Sequence, residues 1–134
     1  MIVAMCCTKN WYKYLPTVLY SLFKNNKVDK LYLFTEDDNV PNVSNKAIRF
    51  INTNKIKEYI HWKSPNYNTR YTRMTLIRCY LSKLLEESKV LYIDTDTIID
   101  GNLNKLWDTN LDNYAVAGVK EPRRMGQTFK IKRL

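Results

Sequence analysis

Short, unbroken apolar runs alternate along this chain with segments whose apolar residues recur at helical spacing. The apolar runs are residues 2–7, 31–35, 47–51, 90–93 and 114–119. An apolar run bounded by turn residues is typical of a strand that is covered on both faces, and strands that alternate with helices favour a parallel sheet. We therefore predict an α/β fold in which a mostly parallel sheet is flanked by helices.

Two segments show the clearest helical periodicity. The apolar residues of the first are Leu15, Val18, Leu19, Leu22 and Phe23, and Pro16 is tolerated because it falls in the first turn. The second runs over 69–87, where the apolar residues from Met74 to Leu85 fill one broad arc. Shorter helices are predicted over 56–60, behind a cap at Asn54, and around Leu103–Trp107.

The charge of the chain is unevenly distributed. The 134 residues carry 22 Lys and Arg against 13 Asp and Glu, a net charge of +9, and residues 120–134 alone carry +5 of it. A basic segment attracts phosphates of many kinds, including lipid headgroups and nucleotides. We divide the chain into a body over 1–119 and a basic C-terminal tail over 120–134, and we expect peripheral membrane contact through that tail and no specific nucleic-acid partner.

Cysteine and histidine usage favours a reducing compartment and argues against a zinc site. Cys6 and Cys7 are adjacent in an apolar run, where successive side chains point to opposite faces of a strand, so they are not expected to pair. The single histidine, His61, has no metal-ligand partner nearby in sequence. The first apolar run is too short for a signal peptide or a membrane span. We expect a cytoplasmic protein, in contact with the inner face of the membrane where the tail binds it.

Two polar segments are predicted to meet at one edge of the sheet. Residues 8–12 follow the first predicted strand, and residues 94–96 follow the fourth. In open α/β sheets ligands bind outside the carboxyl ends of the strands. If both strands are parallel members of the sheet, these segments line one crevice.

Asp94 and Asp96 are the residues in that crevice with the clearest chemistry. At strand spacing, positions i and i+2 face the same side, and two close carboxylates repel each other unless a cation lies between them. Carboxylate oxygens suit Mg²⁺ or Mn²⁺, which commonly bridge a protein to substrate phosphates. The functional interpretation is a divalent-cation and diphosphate site. The structural alternative is that the two aspartates cap turns or the following helix.

Three motifs in this order resemble glycosyltransferase family 8, which includes lipopolysaccharide galactosyl- and glucosyltransferases and glycogenin. Residues 90–99, VLYIDTDTII, with the following Gly101-Asn102-Leu103 and Leu106-Trp107, resemble the DxD segment of that family. Residues 7–15, CTKNWYKYL, resemble its first strand and nucleotide loop, and Arg78 lies where the family carries a basic residue that contacts the donor. The similarity extends over nearly the whole chain.

The resemblance implies a GT-A fold, a UDP-sugar donor and transfer of a hexose to a saccharide or lipid-linked saccharide acceptor with retention of configuration. It implies that Asp94 and Asp96 hold Mn²⁺ or Mg²⁺ and that Arg78 stabilises the charged donor. The residues implied in nucleotide-sugar binding are Thr8, Asn10, an aromatic at Trp11 or Tyr12, Arg78, Asp94 and Thr95. The structural alternatives are that Arg78 lies along the helix border with its charge in water and that the two aromatics form a hydrophobic staple.

Family members are usually about twice as long as this chain. The segment with an Asn-Ala-Gly-like sequence, the residue near the sugar carbon and the late histidine metal ligand have no counterpart before Leu134. We therefore expect the N-terminal, nucleotide-binding part of such an enzyme, an incomplete GT-A domain whose catalytic residues lie beyond Leu134. An exposed sheet edge predicts marginal stability, self-association, or weak binding of UDP and metal with little turnover.

Two other functions fit parts of the sequence. A haloacid-dehalogenase-type phosphatase also places an Asp-x-Asp after an apolar strand, although here Ile98 stands at the fifth position of that motif and the motif falls late in the chain. A non-enzymatic nucleotide- or phosphate-binding fragment would use the basic tail and the ten tyrosines. The order of the three motifs favours the glycosyltransferase.

Overall fold

A computed structural model of the chain describes residues 1–56 and 73–118. Its strands are β1 (Ile2–Cys6), β2 (Lys30–Thr35), β3 (Ile48–Asn52) and β4 (Leu91–Tyr92). They form one sheet in the order β3-β2-β1-β4, and every neighbouring pair runs parallel. The predicted α/β class and parallel sheet are confirmed.

Within the described residues, the helical elements are four α-helices and three 3-10 helices. The α-helices are α1 (Leu15–Asn25), α2 (Arg73–Ile77), α3 (Leu81–Leu84) and α4 (Asn104–Trp107), and the 3-10 helices cover Lys9–Tyr14, Thr53–Lys55 and Arg78–Tyr80. Residues 69–72 of the predicted 69–87 helix lie outside the described residues, and 73–84 are helical. The helix ends before Leu85, whose φ of −124° and ψ of 140° are extended. In the described part of the chain, no helix combines the length and the apolar character that crossing a membrane requires.

The sheet is buried on both faces, which is why its strands read as unbroken apolar runs. Val3 and Met5 of β1 point to one face, where α1 covers them with Leu15, Val18 and Leu22. The opposite face carries Ala4 and Phe34, covered by Met74, Ile77 and Leu85 from the segment of α2 and α3. Each fully buried aliphatic side chain in these two layers contributes about 1.5–3 kcal/mol.

The strand predicted over 114–119 is wrong for the residues described. Residues 114–118 form no strand, and the side chains of Tyr114 and Val116 are 71% and 77% exposed. A strand exists only where a neighbouring strand accepts and donates its backbone hydrogen bonds, and no described strand pairs with this segment. β4 is likewise shorter than the predicted 90–93, because only Leu91 and Tyr92 pair with β1.

Residues 57–60 of the helix predicted over 56–60 lie outside the described residues, so the Asn54 cap stays a prediction. Just before them the chain forms a 3-10 helix over Thr53–Lys55, and the side chain of Asn52 caps it by accepting a hydrogen bond from the Asn54 N–H at 2.9 Å.

The connections place a topological switch point between β1 and β4. From β1 the chain passes through α1 to β2 on one side, and after β3 it returns through α2 and α3 to β4 on the other side of β1. The carboxyl ends of β1 and β4 are therefore adjacent, and the loops that follow them diverge. Such a point in an open α/β sheet is where ligands bind.

Candidate functional site

An open cleft of about 320 Å³ lies at this switch point. Its lining residues are Cys6, Thr8, Trp11, Met74, Thr75, Arg78, Tyr92, Asp94, Thr95 and Asp96. Six of them, Thr8, Trp11, Arg78, Asp94, Thr95 and Asp96, belong to the set that the resemblance implies. Segments separated by more than eighty residues of sequence thus meet because β1 and β4 are neighbours.

The first wall of the cleft is the 3-10 helix that follows β1. Thr8 precedes it in extended conformation, and the N–H of Trp11 donates to the carbonyl of Thr8 at 2.9 Å. The Trp11 side chain is 45% exposed, and its ring lies 5.0 Å from that of Tyr14 at a 50° tilt. Asn10 is exposed on the same helix but is not among the lining residues. The cleft therefore has an accessible, laterally supported indole in its wall.

Tyr12 has a different position from its neighbour Trp11. Its half-buried ring packs against the core on the α1 face, and its hydroxyl accepts hydrogen bonds from the backbone N–H groups of Glu36 at 2.9 Å and Asp37 at 3.2 Å. Burial raises the pKa of this hydroxyl. Lys9 adds a backbone hydrogen bond to the Glu36 carboxylate at 2.6 Å. Tyr12 thus ties the helix to the acidic turn after β2 and does not line the cleft.

The second wall is the segment after β4, which carries the two aspartates. The Ile93 N–H still donates to the Ala4 carbonyl at 3.0 Å, but Thr95 and Asp96 already form a turn. The prediction that strand alternation aligns the two carboxylates is therefore wrong in its reason, because the strand ends at Tyr92. The turn nevertheless brings Asp94 and Asp96 to the same cleft, where both are exposed.

The side chains of this turn supply only some of the ligands that a hard divalent cation needs. Two carboxylates are the ligand type that Mg²⁺ and Mn²⁺ prefer. Among residues 1–56 and 73–118, no group of three or more His, Cys, Asp or Glu side chains is placed to hold a metal. Asp94 and Asp96 thus fit a cation whose remaining ligands come from a bound diphosphate, from water or from outside the described residues.

Arg78 and Tyr92 complete the charged part of the cleft. The Arg78 guanidinium lies 5.1 Å from the centroid of the Tyr92 ring and 3.6 Å from Oδ1 of Asp94, measured from its Nη2. Its Nε donates to the carbonyl of Thr75 at 3.0 Å. The Tyr92 hydroxyl donates to Oδ1 of Asp94 at 2.8 Å. A cation, an anion and a phenol therefore contact one another at the cleft floor.

The cysteines near the cleft are neutral thiols. Burial raises the pKa of Cys6 to about 12, and a hydrogen bond with Tyr92 offsets only part of that shift. Burial likewise raises the pKa of Cys7 to about 11, although a hydrogen bond with Thr95 lowers it in part. Cys6 and Cys7 face opposite sides of the sheet as predicted, and neither they nor the exposed Cys79 form a disulfide. At neutral pH neither buried thiol is a thiolate ligand or nucleophile.

Four lining residues were not predicted: Cys6, Met74, Thr75 and Tyr92. Tyr92 had a sequence signal, because it lies in the predicted strand that runs directly into Asp94. The other three depend on how α2 packs against the sheet. His61 and the basic tail over 120–134 lie outside the described residues, as does the side chain of Arg73.

Comparison with protein families gives one match that covers nearly the whole chain. A family described as "Glycosyl transferase family 8" matches residues 2–133. Among curated proteins, "Glycosyltransferase GlyB" of Streptococcus pneumoniae serotype 4 is 31% identical over 115 residues, which are 80% of this chain and 28% of GlyB. The chain thus spans less than a third of the length of that relative.

Solved structures show the same fold. A crystal structure of an active-site mutant of LgtC matches with a TM-score of 0.59 at 21% identity, over 83% of this chain and 43% of that chain. A second, of the galactosyltransferase LgtC in complex with donor and acceptor sugar analogs, matches with a TM-score of 0.56 at 21% identity and the same coverage. At this identity the likeness concerns the fold, and it includes less than half of the LgtC chain.

Proposed function

The chain belongs to glycosyltransferase family 8 and has a GT-A-like fold, and from this premise we propose that it is the donor-binding part of a retaining hexosyltransferase. Its ligand is a UDP-sugar, and its acceptor is a saccharide or a lipid-linked saccharide. The observation that carries the proposal is the cleft between β1 and β4, which joins Trp11, Arg78, Asp94 and Asp96.

Trp11 is the residue we assign to the uracil base. An aromatic side chain that is half-exposed and supported from one side offers a flat surface on which a base can stack. Tyr12, the other aromatic that the sequence suggests, is engaged with the acidic turn and packs on the core. Thr8, which lines the cleft beside Trp11, is assigned to the polar edge of the base, and Thr95 to the ribose or phosphate. The contact of Asn10 with the base, implied by the resemblance, stays a prediction because Asn10 does not line the cleft.

Arg78, Asp94 and Asp96 are assigned to the diphosphate. A guanidinium makes paired hydrogen bonds to phosphate oxygens, and its charge offsets the charge that develops on the leaving diphosphate. The two carboxylates would hold Mn²⁺ or Mg²⁺, and a bound divalent cation supplies further neutralisation of that charge. The sugar then projects from the cleft toward acceptor-binding residues, which we place outside the described part of the chain.

The phosphatase alternative is less well supported than the glycosyltransferase. The match to glycosyltransferase family 8 extends over residues 2–133 and the fold likeness is to LgtC. Hydrolysis of a generic aryl phosphate by the chain, without UDP binding, would favour the phosphatase instead. The membrane contact, the self-association and the cytoplasmic location expected from the sequence stay predictions.

Calorimetric titration of the 134-residue chain with UDP tests this proposal, with and without MnCl₂. We expect binding that Mn²⁺ strengthens, and we expect Asp96→Asn to remove that strengthening because it deletes one of two charged ligands. Asp108→Asn is the matched control, since Asp108 is an exposed aspartate outside the cleft. CDP and GDP in place of UDP test the base.

Two outcomes would contradict the proposal. The first is the absence of UDP binding at millimolar nucleotide with Mn²⁺ present. The second is an Asp96→Asn chain that retains the full Mn²⁺ effect, which would show that the paired carboxylates do not hold the cation. A loss shared equally by Asp108→Asn would point to net charge and not to the site.

A further inference from the structure

Tyr92 belongs to the sheet and contacts two of the three charged side chains that line the cleft, Asp94 and Arg78. Its hydroxyl donates to Oδ1 of Asp94 at 2.8 Å, and the Arg78 guanidinium lies over its ring at 5.1 Å. The direct approach of the two charges is longer, 3.6 Å from the Arg78 Nη2 to the Asp94 Oδ1. A direct charge-assisted hydrogen bond between them would be about 2.7–2.9 Å. The phenol therefore makes the close contact that the guanidinium would otherwise make.

The Tyr92 ring is held by the sheet and the core, whereas the side chains of Arg78 and Asp94 are partly exposed. Tyr92 pairs in register with Ala4 of β1 and packs against the core formed with α2 and α3. The side chains of Arg78 and Asp94 are 40% and 50% exposed. The phenol is thus the best-packed partner in this contact, and it contacts both charged groups, while the Thr75 carbonyl also accepts a hydrogen bond from the Arg78 Nε at 3.0 Å.

Because these two opposite charges are so close, each can bind the other in place of a ligand. An arginine and a carboxylate that meet directly form a bidentate ion pair, and each then has fewer hydrogen-bonding positions left for a phosphate or a cation. A neutral hydroxyl on Oδ1 prevents that closure, and an aromatic face attracts the guanidinium without using its N–H donors. Both charges stay available to the cleft.

We propose that Tyr92 is a positioning residue that holds Asp94 and Arg78 apart and oriented, so that both can act on one diphosphate. This inference rests on the proposed function and extends it to a residue that acts through Asp94 and Arg78. Removal of the hydroxyl would let Arg78 close on Asp94, and the nucleotide would lose a guanidinium even when no metal is present.

The sheet supplies a matched control in Tyr32. Tyr32 flanks Ala4 from the other side, in β2, and its hydroxyl donates to the Glu87 carboxylate at 2.7 Å while the Lys30 ammonium lies 5.3 Å from its ring centroid. It therefore makes the same kinds of contact on the same face of the sheet, but it does not line the cleft. Tyr32→Phe removes an equivalent hydrogen bond away from the ligand.

The test is a double-mutant cycle read by UDP titration in EDTA, followed by the same titrations with MnCl₂. The four chains are the unsubstituted one, Tyr92→Phe, Asp94→Asn and the double substitution, with Tyr32→Phe as control. In EDTA, Tyr92→Phe should weaken UDP binding roughly tenfold, the value of one charged hydrogen bond. In the Asp94→Asn background, where nothing captures Arg78, the same substitution should have no effect.

With Mn²⁺, Tyr92→Phe should bind UDP about tenfold more weakly, which is the usual effect of changing a residue that hydrogen-bonds to a metal ligand. Tyr32→Phe should bind UDP like the unsubstituted chain in both conditions. Circular dichroism and the melting temperature establish that each variant is folded, and phenylalanine keeps the packing of either ring.

Three results would overturn the inference. UDP affinity of Tyr92→Phe within about twofold of the unsubstituted chain would show that the hydroxyl positions nothing. A loss that is the same with Asp94 intact and in the Asp94→Asn background, or an equal loss in Tyr32→Phe, would show a general packing effect. No UDP binding by the unsubstituted chain would overturn the proposed function and this inference together, whereas normal binding with an unaffected Tyr92→Phe would overturn the inference alone.

Discussion

Asn26, just after α1, holds the segment that follows the two aspartates, and its replacement by alanine should destabilise the fold. Its side chain is buried, 8% exposed. The amide donates to the carbonyl of Gly101 at 3.2 Å, and its oxygen accepts from the N–H of Leu103 at 2.7 Å. A third, local bond runs to the carbonyl of Leu22 at 3.3 Å. One side chain thus satisfies backbone groups of a loop more than seventy residues away.

The magnitude follows from the groups that Asn26→Ala leaves unpaired. The Leu103 N–H would lose its partner, at a cost of about 1–3 kcal/mol, and loss of the bond to Gly101 adds about 1 kcal/mol. Alanine introduces no backbone strain, because φ of −141° and ψ of 144° at this position are extended. We expect a loss of about 2–4 kcal/mol in the free energy of unfolding, against a total of about 5–15 kcal/mol for a domain.

Urea unfolding followed by circular dichroism measures this loss, and the melting temperature should fall by roughly 6–12 °C. Asn39→Ala is the control, because Asn39 is exposed in the loop after β2 and a surface change of this kind costs within about 0.5 kcal/mol. A loss below about 0.5 kcal/mol for Asn26→Ala, with an unchanged denaturant slope, would refute the argument that this amide anchors the loop.

Two further predictions concern acid stability and base binding. The Glu87 carboxylate accepts hydrogen bonds from the Lys30 ammonium and the Tyr32 hydroxyl, which lower its pKa from an ordinary 4.5. The contribution of the ionised Glu87 to stability is present above pH 4.5 and is lost as the pH falls below that value. The melting temperature of Glu87→Gln should therefore fall less than that of the unsubstituted chain below pH 4.5. The same dependence of melting temperature on acid pH in both chains would contradict this prediction. Trp11→Ala should weaken UDP binding by about 1–3 kcal/mol in titration, while Tyr20→Ala, at an exposed aromatic outside the cleft, should not.

The local sequence pattern was sufficient to predict strands that are buried on both faces and helices with a strongly periodic apolar face. The unbroken run at 2–7 and the spacing of Leu15, Val18 and Leu22 predicted β1 and α1 to within about a residue or two at the ends. It failed at 114–118, which has an apolar, strand-like composition and yet lies exposed. Apolar pattern reports a preference for burial, whereas a strand also needs a neighbour with free hydrogen-bonding groups.

The amino-acid order by itself determined the fold class and the chemistry available at the sheet edge, because apolar periodicity and side-chain type are properties of short segments. Only the tertiary structure decided which groups touch. The placement of Arg78 over Tyr92 and the meeting of Trp11 with Asp94 and Asp96 in one cleft depend on how β4 pairs with β1 and how α2 packs on that pair. The hydrogen bonds of Tyr12 to the turn after β2 separate its ring from that of Trp11. These contacts join distant positions, so no local window of sequence contains the energies that select them.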